Sequence, residues 1–64
     1  MKNIKFQIAL LEANMCQRDL AKATGINEAL ISLGVRGRYI FNEQQKEKIS
    51  KYLRKPVNEL FSNQ

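Results

Sequence analysis

Histidine is absent from the chain, and its one cysteine, Cys16, has no base beside it to draw off a proton. General-base and nucleophilic catalysis therefore have little to stand on. No glycine-rich phosphate loop occurs either. Glu43 and Glu47 share a helix face and are the nearest approach to a metal pair, but Lys46 and Lys48 flank them, so a solvated face is expected, with no metal and no cofactor. What remains is charge. Lys and Arg number 11 against 6 Asp and Glu, a formal net charge of +5, which favours polyanionic partners. The densest stretch holds Lys46, Lys48, Lys51, Arg54 and Lys55 against Glu47. It reads either as a flank that approaches phosphates or as a solvated helix face with Glu47 pairing Lys51 at i,i+4.

Length narrows the field further. A chain of 64 residues forms one domain, 1–64, and at that size folding buries only about 60 % of the surface the unfolded chain exposes. With 44 % hydrophobic residues it closes one core, leaving too little apolar material for a deep cleft or cofactor chamber. An enzyme is thus disfavoured. The longest apolar run, Ile8 to Leu11, is far too short to span a bilayer, and no signal-peptide pattern is present. Cys16 cannot close an internal disulfide, which suits a reducing cytoplasm.

The elements that position these groups are helical. Ile4, Ile8 and Leu11, with Phe6, Leu10 and Ala13 beside them, make a broad apolar stripe capped by Asn3 and stopped at Asn14. A second helix runs from about Gln17 to Ala23, burying Leu20 and Ala21. Thr24, Gly25, Ile26 and Asn27 form a turn in which Gly25 takes positive φ, Ile26 plugs the core and Asn27 caps the next helix. That third helix buries Ile31 and Val35, projects Glu28, Ala29, Ser32 and Leu33 elsewhere, and ends at Gly37. After a loop from Arg38 to Phe41, Asn42 and Gln45 make a capping-box start for a fourth helix with Ile49, Tyr52 and Leu53 inward. Pro56 takes the first position of a short fifth helix that turns Val57, Leu60 and Phe61 inward.

Two short helices joined by a tight glycine-containing turn define a helix-turn-helix, spanning about residues 17–36. In Gln17, Leu20-Ala21, Gly25-Ile26, Asn27, Ile31-Ser32, Gly37 and the tail Val57-Asn58-Glu59-Leu60-Phe61, the chain resembles the Cro/repressor-like, or xenobiotic-response-element, family of helix-turn-helix regulators. The resemblance covers nearly the whole chain. It implies an all-α, lambda-repressor-like bundle of four to five short helices that docks the third helix in the DNA major groove. On that mapping Glu28, Ala29, Ser32 and Leu33 fall at base-reading positions: Glu28 accepts from a cytosine amino group, while Ala29 and Leu33 pack on thymine methyls. Gln17, Asn27, Arg36, Arg38 and Tyr39 fall where the family holds phosphates, and Gln17 has the unpaired N–H groups of a helix start beside it.

The chain departs from the family at three places. Leu10 and Val35 stand where relatives carry an Arg–Glu ion pair, a replacement that packing tolerates if the two apolar side chains meet. Gly34 replaces a large apolar residue, and Tyr39 or Phe41 is expected to fill the gap. Cys16 replaces the usual Thr or Ser cap of the second helix; thiols cap poorly, and a helix N-terminus is also where a thiol can turn redox-active.

Two functions are expected from this reading. The first is a cytoplasmic transcriptional regulator of repressor or Cro type that binds pseudo-palindromic double-stranded DNA as a homodimer, formed in solution or only on DNA. The dimer surface would be small, in the loop after the third helix and the fifth helix. Phage and mobile-element control proteins are often this minimal. The second is a helix-turn-helix used as a protein-interaction module, an antirepressor or antitoxin partner, through Leu30 and Leu33.

Overall fold

In the computed structural model, which describes residues 2–62, five helices pack together and no strand occurs among the described residues. Helix α1 spans Ile4–Glu12, α2 Gln17–Thr24, α3 Glu28–Val35, α4 Glu43–Leu53 and α5 Val57–Leu60. The first of these starts as its sequence dictates, because Asn3 Oδ1 accepts from the Phe6 N–H at 3.1 Å. It ends just before Asn14, which takes φ 56° in the left-handed region. Asn3 does more than cap. Its Nδ2 donates to the Leu60 carbonyl at 2.9 Å and its backbone N–H to the Val35 carbonyl at 2.9 Å, so one buried residue ties α1 to the ends of α3 and α5.

Helix α2 lies against α3 and α4, α1 against α3 and α5, and α4 against α5. Phe6, Leu20, Ile31, Phe41, Ile49 and Leu60 are the fully enclosed side chains at their junction. Phe6, Phe41 and Phe61 meet edge to face with centroids 5.6 to 6.1 Å apart, and Tyr39 adds a fourth ring 5.1 Å from Phe41. The gap left by Gly34 is filled by Phe41: a Cβ at residue 34 would fall on that ring. Tyr39 backs the Phe41 ring. Leu10 and Val35 are both buried in the core and border one groove.

Four expectations need correction. The inward face of α1 is Phe6, Ala9 and Leu10, while Ile4, Ile8 and Leu11 are 53 %, 48 % and 79 % exposed. A helix that is apolar on two sides offers two stripes of equal periodicity, and the three-ring contact of Phe6 selects between them. Tyr52 stays outside, because Ile49 and Leu53, four residues apart, already fill the inner line of α4. Thr24 closes α2 instead of entering the turn; its hydroxyl donates to Leu20 O at 2.8 Å and accepts the Ile26 N–H at 3.2 Å. Pro56 is the cap of α5, at ψ 150°, not its first helical residue. By contrast the capping box of α4 forms in full: Gln45 N–H donates to Asn42 Oδ1 at 2.8 Å, and Asn42 N–H to Gln45 Oε1 at 3.0 Å.

Candidate functional site

The turn between α2 and α3 sets the direction of the third helix. Gly25 reverses the chain at φ 75°, a region that L side chains rarely adopt, and Ile26 inserts into the core. Asn27 Oδ1 then accepts the Ala29 N–H at 2.7 Å, starting α3 in solvent. Glu28 and Ala29 in its first turn are exposed; Ser32 and Leu33, a turn later, are half-buried. Leu30 is drawn partly against the core.

At the other helix start, Gln17 is half-buried and Cys16 is exposed, its sulfur a weak acceptor facing the Asp19 N–H in a capping box. Asp19 closes the box from the other side, its carboxylate accepting the Cys16 N–H at 3.1 Å. That backbone hydrogen bond holds its carboxyl below the ordinary value of 3.8, helped next by the thiol, opposed by desolvation, and aided least by Lys22 and Arg18. Leu10 and Val35 line a shallow groove of about 670 Å³ together with Met15, Gln17, Arg18 and Glu28. The first turns of α2 and α3 therefore share one surface, and Gln17 and Glu28 come together on it.

Sequence reasoning passed over Arg18. Its Nε lies 4.0 Å from Glu28 Oε1, with both side chains largely in solvent. No local spacing announces that pair, since the two residues sit on different helices and meet only once α2 and α3 pack.

Beyond α3, Gly37 turns the chain at φ 77° between Arg36 and Arg38, and both arginines are exposed with no ion-pair partner among the described residues. Tyr39 differs from them. Its hydroxyl donates to Gln45 Oε1 at 3.1 Å and its ring packs on Phe41, so it braces the start of α4. The basic run is likewise divided. Lys55 Nζ pairs with Glu12 at 3.0 Å and Glu59 at 3.7 Å, which raises its pKa above 10.5, the Glu12 hydrogen bond first among the causes. Lys46 Nζ sits 5.8 Å from the Phe61 centroid. Lys51 lies over Tyr52 at 6.0 Å and forms no ion pair with Glu47 among the described residues. Lys48 and Arg54 remain in solvent.

No family model, curated protein or solved structure matches the chain. Among the described residues, no helix is long and apolar enough to cross a membrane.

Proposed function

We propose that the chain is a sequence-specific DNA-binding regulator of the helix-turn-helix kind, which inserts α3 into the major groove. The carrying observation is the exposed first turn of α3, where Glu28 and Ala29 stand clear of the core, with Gln17 sharing a groove with Glu28 and the exposed Arg36 and Arg38 following the helix's C-terminal end. Such an arrangement suits a reader of base edges held in place by phosphate contacts. The net charge of +5 supplies the attraction. Glu28 accepts from a cytosine amino group, Ala29 and Leu33 approach thymine methyls, and Ser32 lies alongside. Gln17, Asn27, Arg36 and Arg38 hold phosphates; Tyr39 joins them only if its hydroxyl leaves Gln45.

Selection from random duplexes at fixed salt tests this reading, and a consensus with half-sites is the expected result. Glu28→Gln changes preference at a single base position by about 1–3 kcal/mol. Arg36→Ala weakens all sequences alike and lowers the salt slope by about 0.9. Recovery of no consensus, with only weak nonspecific binding, overturns it. The protein-interaction reading through Leu30 and Leu33 has less to rest on, because Leu30 already packs partly against the core.

A further inference from the structure

Helix α1 uses two of its faces for apolar side chains, but the fold covers only one. Phe6, Ala9 and Leu10 enter the core, while Ile4, Ile8 and Leu11 are left in solvent, Leu11 with 79 % of its surface exposed. A helix apolar on both sides is ordinarily covered on both. The outer residues are spaced four and then three apart, the interval that keeps a seam facing a second helix. By contrast α5 directs Leu60 and Phe61 into the core, so it has little apolar surface left to offer.

We infer that this face is where a second copy of the chain docks, the two α1 helices running antiparallel about a two-fold axis. Charge selects this occupant. Lys5 and Glu12 are seven residues apart and lie on the same flank of the stripe, with opposite signs. In an antiparallel pair each flank faces its own counterpart, so Lys5 of each copy meets the partner's Glu12, twice by symmetry. Ile8 then meets Ile8, and Ile4 meets Leu11. A parallel pair would set that flank against Gln7 and Asn14 and gain no ion pair. Lys5 is available, since it makes no ion pair among the described residues and donates only to Ser62 Oγ at 3.3 Å. Glu12 holds Lys55 within its own chain, but Glu59 lies beside the same ammonium and keeps it neutralised when Glu12 turns outward. Three exposed side chains on a nine-residue helix fall short of the about 800 Å² per partner of a standard interface, so association is weak and concentration-dependent. The inference does not depend on DNA binding.

Sedimentation equilibrium of the full chain from micromolar to millimolar concentration tests it, with circular dichroism checking that each variant is folded. The wild type shifts from monomer to dimer across that range, and Ile8→Lys stays monomeric. Lys5→Glu and Glu12→Lys, each alone, dimerise about tenfold more weakly, because like charges then oppose one another. An equimolar mixture of the two recovers the dimer, one copy carrying glutamate at both positions and the other lysine. A folding defect would not be repaired by mixing. A wild type that remains monomeric, a dimer indifferent to Ile8→Lys, or a mixture no tighter than its components overturns the inference, the first two outcomes leaving the face to a different partner or to none.

Discussion

Replacing Gly34 with alanine sets two magnitudes against each other, and the structure decides between them. Gly34 has no positive φ, so alanine suits its backbone, and in a helix interior the exchange favours folding by about 0.5–1 kcal/mol. Against this, the new Cβ would fall on the Phe41 ring. That ring is 2 % exposed and held edge-on by Phe6, Phe61 and Tyr39, so it has nowhere to swing. Overpacking of this kind costs about 1–3 kcal/mol, and a ring that cannot move puts the cost in the upper half of that range, leaving a net loss of about 1–2 kcal/mol. At about 4–8 °C per kcal/mol for so small a domain, Gly34→Ala lowers Tm by about 5–15 °C in a thermal melt followed by circular dichroism. Phe41→Leu supplies the control. It destabilises the parent through lost packing, yet in the double variant the two losses add to less than their sum by about 0.5–3 kcal/mol, because the smaller side chain yields to the methyl. A Gly34→Ala protein that melts at or above the parent temperature refutes the reasoning, since helix propensity would then outweigh the collision.

Three further outcomes are expected. Asn3→Ala loses both a cap and a buried donor to Leu60 O, a cost of about 2–3 kcal/mol read from urea midpoints, and an unchanged midpoint counts against it. Cys16→Thr replaces the weak sulfur acceptor of that capping box with an oxygen and gains about 0.5–2 kcal/mol; an unchanged Tm counts against it. Because the native pKa of Asp19 is depressed, its carboxylate adds stability that is fully present above 3.8 and is lost as pH falls through the lower native value. The advantage of the parent over Asp19→Asn should therefore be flat near neutrality and vanish in acid, and a difference that persists there refutes the assignment.

The caps were the most legible part of the fold. Asn3, Asn27 and the Asn42–Gln45 box satisfy donors two or three residues away, so their signal is complete within a few letters of sequence. The buried face of α1 was not legible, because Ile4, Ile8 and Leu11 are as apolar and as regularly spaced as the residues that went inside. Phe6 settled the choice through rings at positions 41 and 61, a contact no local window contains. Charge behaved similarly. Lys55 could be matched with Glu59 from spacing, whereas its shorter partner, Glu12, lies 43 residues earlier and becomes visible only when α1 and the end of α4 have closed together. In the candidate site the exposure of Glu28 and Ala29 followed from helix phase, but Arg18 beside Glu28 and the turning-in of the Tyr39 hydroxyl are tertiary events.

The clasp at Asn3 also bears on the order in which the chain can acquire its structure. Its side-chain donor is satisfied by the Leu60 carbonyl, 57 residues further on. On a ribosome, where about 5–20 residues are added each second, that partner does not exist until several seconds after Asn3 has been made. Until then α1 is a nine-residue helix too short to persist by itself, with both of its oily faces open to water. The nascent chain therefore passes through an interval in which α1 stands with all of its apolar surface uncovered. Arrival of α5 completes the clasp and covers one of those faces for good.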